Sequence, residues 1–328
     1  MMNKKLQNIL KIAVSISLIG WMLYKADTKA MLSVVANADP LFCAAVLLSF
    51  IIINITQVIR WYALLKGKVE GVGFKSLLKF HMISIFFQSF LPSSFSVDVV
   101  KGFLLSKLTD KSKAYGSVAF ARFIGMIVLF MFMAVILILQ PDLVMGQLYS
   151  RELIVALFAV CGLSLVIFSK KVSRFIFSRF PKFSASSIFK KSKQFREDIY
   201  AYRKEPMIVI KTVIYSTIIH LCTIGTAYFS YQAINVDVPF SVLLVVSPIV
   251  YAALLLPISI NGIGAREGLF LLLLAPWGIN IENILASSLI CYVSVYALCL
   301  LGGVVYFLSN VKGIQSDKKE ETGIGSAG

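Results

Sequence analysis

The sequence repeatedly presents apolar runs that are long enough, or nearly long enough, to cross a lipid bilayer. A hydrocarbon core of roughly 30 Å requires about 20 helical residues. Of the 328 residues, 58% are hydrophobic, and the mean hydropathy is +0.85. This pattern predicts an all-α polytopic membrane protein with about six spanning helices. The predicted spans are Ile9–Tyr24, Leu41–Ile59, Val118–Leu139, Leu153–Phe168, Ile208–Ala233 and Ile284–Ser309.

Two further apolar segments, Phe80–Leu105 and Phe240–Ile279, are each interrupted by a stretch rich in proline, serine or glycine. The basic residues indicate that each segment enters and leaves the membrane on the same side. In that arrangement 26 of the 32 basic residues lie in the cytoplasm, as the positive-inside rule requires. A full crossing would place the strongly basic segment Lys170–Pro206 outside. We therefore predict two broken or re-entrant elements besides the six spans, with both termini cytoplasmic.

The chain is predicted to form a single polytopic transmembrane domain over residues 1–310. Residues 311–328 are polar and are predicted to be a disordered cytoplasmic tail. The net charge of +16 is explained by cytoplasmic loops that contact anionic membrane lipids, so nucleic acid is not an expected partner. The five cysteines lie in apolar segments without metal-ligand spacing, and neither a metal nor another cofactor is expected.

Three basic residues lie outside the predicted loops. Arg122 and Lys211 are predicted to lie near the cytoplasmic ends of their helices, where long side chains can reach the headgroups. The third, Arg266, has no comparable explanation, because it lies inside the second interruption. Arg60 is not one of the three, since it is assigned to the predicted cytoplasmic loop Arg60–Lys79.

The two interruptions resemble each other when Pro92 is aligned with Pro257. The stretches LPSSFSVDVVKG and LPISINGIGARE share Leu-Pro and a basic residue nine positions after the proline, Lys101 and Arg266. Interrupted segments at corresponding places of two halves indicate the central site of a transporter. We therefore expect an inverted-repeat-like arrangement in which both interruptions face one midplane cavity.

The interruptions also have the chemistry of an anion site. A broken helix leaves backbone N–H groups unpaired, and in hydrocarbon these must face a cavity or a ligand. The new helix N-terminus binds anions such as phosphate. Lys101 and Arg266 are predicted to hold an anionic lipid headgroup, while Asp98 and Glu267 orient or release these cations. Small and polar residues are expected to add contacts or positive-φ backbone: Ser94, Ser259, Asn261, Gly262 and Gly264.

The alternative is that both interruptions are structural kinks, with Asp98 and Lys101 paired on one helix face. The two histidines do not suggest a catalytic site. His220 is predicted to bond to a neighbouring helix, and His81 to lie at the cytoplasmic mouth of the first interruption. Polar residues around Asn54 are typical of hydrogen bonding between helices. No catalytic motif is evident, so an enzyme is not the expected class.

Both interrupted stretches resemble motifs of the lysylphosphatidylglycerol synthase transmembrane family, also described as flippase-like integral membrane proteins. In that family Leu-Pro is followed by Gly-Asp, two aliphatic residues and Arg or Lys. A later stretch reads P-(I/V)-S-(I/L)-x-G-(I/L)-G-x-R-E. The sequences LPSSFSVDVVKGFLL and LPISINGIGAREGLF are similar to the two patterns, and the resemblance covers about residues 5–310. Here Val97 replaces the usual glycine, and Lys101 stands where arginine is common, so bidentate phosphate binding is not expected there.

The resemblance implies lipid handling, such as movement of aminoacylated phosphatidylglycerol or polyprenyl-phosphate-linked sugars between leaflets. Members that synthesise the lysyl lipid carry a further soluble domain, which is not expected here. The predicted function is a flippase-like transporter that binds or translocates an anionic or phosphate-bearing lipid in the plasma (inner) membrane. Two alternatives remain open. One is an integral-membrane transferase that uses Asp98 as a base, and the other is an assembly factor that partners an envelope-biosynthesis enzyme.

Overall fold

The computed structural model describes residues 17–69, 72–90, 96–139, 205–254, 259 and 261–323. For residues 136–139 and 310–323 only the helical backbone is described. All regular elements in these ranges are helices, which confirms the all-α part of the predicted fold class. In chain order they are α1 (residues 17–25), α2 (Thr28–Ala36), α3 (Pro40–Leu65), α4 (Phe74–Gln88), α5 (Ser96–Leu105), α6 (Lys111–Leu139), α7 (Pro206–Ala233), α8 (Phe240–Ala253), α9 (Ala265–Leu274) and α10 (Ile281–Gly323). A 3₁₀ turn, Ala275–Trp277, follows α9.

Within the described ranges, four helices are long and apolar enough to cross a membrane. These candidate spans are Pro40–Leu65, Lys111–Val135, Pro206–Ala233 and Ile281–Ser309. They account for four of the six predicted spans. The predicted span Leu153–Phe168 lies outside the described residues, as does the first half of Ile9–Tyr24. The total of six spans therefore stays a prediction, as does the disorder of residues 311–328, where α10 continues to Gly323.

Two helices extend well beyond the apolar runs that predicted them. Helix α3 continues to Leu65 and helix α6 begins at Lys111. Arg60 therefore lies inside α3 and not in a loop. Arg122 lies about 16 Å along the axis from the start of α6, because each residue advances a helix by about 1.5 Å. The two predicted locations were wrong because hydropathy detects apolar side chains, whereas backbone hydrogen bonding continues through polar turns.

The helical path is broken at both predicted interruptions. Helix α4 ends at Gln88 and α5 begins at Ser96, while α8 ends at Ala253 and α9 begins at Ala265. The residues between them are only partly described, and the two prolines on which the sequences align are not among the described residues. The re-entrant path and the inverted-repeat relation stay predictions.

Glycines bring the broken segments close to their neighbours. A Cβ atom at Gly102 of α5 would overlap the ring of Tyr115 in α6, and one at Gly302 of α10 would overlap the backbone carbonyl of Met82 in α4. Cys299 also approaches the carbonyl of Ile85, with 3.6 Å between sulfur and oxygen. Close packing at these glycines therefore places α5 against α6 and α4 against α10.

Candidate functional site

A cavity of about 360 Å³ lies between α3, α5, α6, α7 and the end of α8. Small-molecule sites typically enclose roughly 300–1,000 Å³, so the cavity is large enough for a lipid headgroup. Three of these helices are candidate membrane spans. The charged residues of its lining are Arg60, Asp98, Lys101 and Arg122, and its polar residues include Gln57, His220, Thr223 and Tyr251.

Asp98 and Arg122 form an ion pair across the cavity wall. The Nη1 of Arg122 in α6 donates to the Oδ2 of Asp98 in the first turn of α5, and each side chain is 25% exposed. Arg122 therefore does not reach towards headgroups at a helix end, which corrects the predicted placement. Asp98 also does not form the ion pair with Lys101 that the kink alternative required.

Lys101 is held by an aromatic face. It is only 6% exposed, and its Nζ lies 5.7 Å from the ring centroid of Trp61 in α3. The Trp61 ring is itself fixed, because its Nε1 donates to Ser117 Oγ at 3.0 Å. In the described part of the chain no carboxylate oxygen lies within 4.0 Å of the Lys101 ammonium. A cation–π contact orients this charge without neutralising it.

Arg60 also has uncharged partners. Its Nη1 donates to Ser216 Oγ in α7 at 2.9 Å, and its buried Nε has no hydrogen-bond partner among the described residues. Gly125 in α6 faces the guanidinium, since an added Cβ would lie 3.2 Å from Arg60 Nη1. The carbonyl of Gly125 accepts a hydrogen bond from His220 Nε2 at 2.9 Å. The described lining of the cavity thus gathers three basic side chains and one carboxylate.

The second interruption has the opposite electrostatic arrangement. Glu267 is fully buried, and its Oε1 accepts hydrogen bonds from Arg266 Nε and Tyr292 Oη, each at 3.0 Å. Its Oε2 accepts from the backbone N–H of Gly264 at 2.7 Å, at the start of α9. The guanidinium of Arg266 stacks 4.5 Å from the ring centroid of Tyr292. A carboxylate of the chain itself therefore occupies this helix N-terminus.

The backbone of the second interruption is tightly turned, as its Asn and Gly residues predicted. Asn261, Gly262 and Gly264 have φ angles of 50°, 81° and 80°. The Nδ2 of Asn261 donates to the carbonyl of Gln88, the last residue of α4, at 3.0 Å. This hydrogen bond brings the second interruption into contact with the end of the helix that precedes the first.

The predicted site residues fall into two groups. Asp98 and Lys101 line the cavity. The described lining of the cavity does not include the predicted residues of the second interruption, which are Ser259, Asn261, Gly262, Gly264, Arg266 and Glu267. Ser94 lies outside the described residues, and the binding roles assigned to all these positions stay predictions.

Sequence reasoning missed Arg60 and Arg122 as cavity residues. The available signal was that a basic residue beside or within an apolar run often marks a polar site in the membrane. The interhelical role predicted for His220 is confirmed by its bond to Gly125. His81 is 1% exposed and its Nε2 bonds to Asn54 Oδ1 at 2.9 Å, so it joins α4 to α3 inside the protein and not at an open mouth.

Comparison with protein families gives one match that covers most of the chain. A family model described as "Lysylphosphatidylglycerol synthase TM region" matches residues 8–303. The matched region contains the cavity and both interruptions. Comparisons with curated proteins and with solved structures gave no match.

Proposed function

The chain belongs to the lysylphosphatidylglycerol synthase transmembrane family, and from this premise we propose that it binds an anionic or phosphate-bearing lipid headgroup in the cavity and moves the lipid between leaflets. The membership and the apolar helices make it a multi-pass membrane protein with a lipid-related function. The headgroup site and the transport step are the new parts of the proposal.

The observation that supports the site is the excess of basic residues around the cavity. Arg60, Lys101 and Arg122 face one carboxylate, Asp98. Charged side chains within membrane segments are costly and are retained where they pair with each other or face a substrate path. Here Asp98 compensates one cation, and the other two are compensated when an anion enters.

The basic residues also offer suitable geometry. Arginine guanidinium groups bind phosphate oxygens through two parallel hydrogen bonds, whereas lysine provides a compact point charge. The buried Nε of Arg60 has no hydrogen-bond partner among the described residues, and Lys101 is positioned by the ring of Trp61. We propose that Arg60 and Lys101 grip the headgroup and that Arg122 adds charge while it holds Asp98.

We assign the second interruption a different part of the same task. Arg266 and Glu267 neutralise each other at the start of α9, and Asn261 attaches this segment to Gln88. We propose that these residues, with Ser259, Gly262 and Gly264, hold the second interruption against the end of α4 and so support the cavity from outside its described lining. Ser94 is proposed to add a contact at the start of α5.

The experiment uses purified protein in liposomes that contain phosphatidylglycerol with a fluorophore on one acyl chain, so that the headgroup is unaltered. Dithionite bleaches outer-leaflet fluorophores, and lipid movement exposes the inner ones. Wild-type protein should accelerate the second phase, and Lys101→Gln or Arg60→Gln should remove most of the acceleration. Lys107→Gln removes the same charge from an exposed position close to α5 and should behave as wild type. Equal rates in all four proteins would refute the headgroup site.

The proposed orientation has both termini in the cytoplasm and places the two interruptions on elements that enter from opposite sides of the plasma membrane. Cysteines introduced at Lys111 and Asn280, both exposed in the structure, should then react with an impermeant maleimide from opposite sides. The site at 111 should react only from the cytoplasm and that at 280 only from outside. Labelling of both from the same side would contradict this topology.

A further inference from the structure

The cavity has a definite count of charges in its described lining. Arg60, Lys101 and Arg122 contribute three positive charges and Asp98 contributes one negative charge. His220 is counted as neutral, because a fourth positive charge would be repelled by the three beside it. The net charge of the described lining is therefore two positive charges. The undescribed segments next to the interruptions, 91–95 and 255–258, contain no charged residue.

The neighbouring residues do not balance this charge. The contacts of Lys101 and Arg60 are a Trp61 ring and the Ser216 hydroxyl, both of which are neutral. Glu267, the one fully buried acid of the described residues, already accepts hydrogen bonds from Arg266, Tyr292 and the Gly264 N–H. Within the described residues no acid remains to compensate the other two charges, and a bound anion would do so.

We infer that the cavity selects a lipid headgroup with two negative charges, of the phosphomonoester or diphosphate class, over a singly charged phosphodiester, and that Asp98 determines this number. The inference rests on the proposed function, whose substrate class it narrows. Charges interact much more strongly at the low effective dielectric constant of a protein interior than in water. A dianion neutralises the cavity, whereas a monoanion leaves one cation buried without compensation.

Asp98 determines the charge because it is the single acid in the described lining. Replacement by asparagine would raise the net charge to three, and Arg122→Gln or Lys101→Gln would lower it to one. The double variant Asp98→Asn/Arg122→Gln removes the ion pair and restores the net charge to two. Comparison of these variants therefore tests whether the net charge of the cavity, and not the identity of any one residue, sets the lipid preference.

The test measures competition by defined lipids with identical acyl chains for the full-length protein in nanodiscs of phosphatidylcholine. The competitors are phosphatidic acid, a phosphomonoester; phosphatidylglycerol, a phosphodiester; and the zwitterion phosphatidylethanolamine. The competition is measured from about pH 6 to pH 8, the range in which a phosphomonoester gains its second negative charge. The wild type should prefer phosphatidic acid to phosphatidylglycerol by roughly tenfold, and phosphatidylethanolamine should compete least.

The variants should shift this ratio in the order of cavity charge. Lys101→Gln and Arg122→Gln should bring the ratio towards one, Asp98→Asn should increase it, and Asp98→Asn/Arg122→Gln should restore a value near that of the wild type. Lys107→Gln should leave it unchanged. Each variant is compared only if it elutes from size exclusion as the wild type does, and the double variant keeps the test informative where a single variant fails to fold.

The outcomes distinguish this inference from the proposed function. Equal binding of phosphatidic acid and phosphatidylglycerol, or a double variant that keeps the ratio of Arg122→Gln, would overturn the charge selection while an anionic-lipid site remains. Binding of both lipids no tighter than phosphatidylethanolamine would overturn the proposed function itself. Inorganic phosphate at matched concentration should not displace phosphatidic acid, and equal displacement would make the cavity a free-phosphate site instead.

Discussion

The two helix interruptions have similar sequences and opposite electrostatic environments. Each contains one acid and one base: Asp98 and Lys101 in the first, Glu267 and Arg266 in the second. In the second, the adjacent acid neutralises the base. In the first, the acid pairs with Arg122, a residue of another helix, and no described acid forms an ion pair with Lys101. The comparison teaches that similar interrupted sequences can leave their charges in different states, because residues packed against the interruption also decide which acid pairs with which base.

The partners from other helices account for the difference. Tyr292 of α10 both accepts Arg266 on its ring and donates to Glu267, so it completes a closed cluster. At the first interruption α3 and α6 instead contribute two further cations, Arg60 and Arg122. The closed cluster also caps α9, because Glu267 bonds to the N–H of Gly264 and lies where the helix dipole favours an anion.

The largest expected effect is on stability at the second interruption. Glu267→Ala leaves Arg266 buried without its partner, and such a loss typically costs about 3–5 kcal/mol. Thermal unfolding in detergent should show a strong decrease in the midpoint temperature. Arg266→Met/Glu267→Met removes both charges and should recover much of the loss. The matched Asp98→Ala should cost less, about 1 kcal/mol, because its pair is one-quarter exposed.

An intermediate effect is expected at Lys101, with opposite signs for stability and activity. Lys101→Met replaces an uncompensated buried cation with an apolar side chain of similar length and should stabilise the protein by roughly 1 kcal/mol. Lipid movement should fall by about 10- to 100-fold, as expected when a charge-assisted hydrogen bond is lost. Arg266→Met should instead lower stability, since it strands the buried Glu267. A loss of stability in Lys101→Met equal to that in Arg266→Met would mean that the two interruptions are electrostatically alike.

The smallest effect is expected at Gly125, which makes room for Arg60. A Cβ there would lie 3.2 Å from the guanidinium, so the side chain must shift by a few tenths of an ångström. Gly125→Ala should weaken binding of an anionic lipid by a few-fold, with little change in unfolding temperature. Gly225→Ala in α7 is the control, because its Cβ would meet only an ordinary contact at 3.6 Å. Equal effects of the two alanines would remove Gly125 from the site.

Much of the fold could be predicted from the sequence, because apolar runs and turn residues act locally. The four described spans, the breaks near Gln88 and Ala253, and the positive φ angles at Asn261 and Gly262 all follow from such local patterns. The site could be predicted only in part. Asp98 and Lys101 line the cavity, but their partners come from distant parts of the chain.

Arg60 and Arg122 show why the remainder could not be predicted. Their helices extend past the apolar runs into polar turns, so hydropathy placed one in a loop and the other at a helix end. Which carboxylate pairs with which cation depends on helix packing. No spacing rule within one helix predicts that Asp98 faces Arg122, 24 positions away, while Glu267 faces its immediate neighbour.

The most direct test is an experimental structure of the full-length protein in nanodiscs with phosphatidic acid. The phosphate density should lie in the cavity within hydrogen-bonding distance of Lys101 and Arg60, while Arg266 and Glu267 keep their mutual contact. A phosphate bound at Arg266 with Glu267 displaced would contradict the assignment of the two interruptions. So would a cavity without headgroup density in a complex that carries the lipid elsewhere.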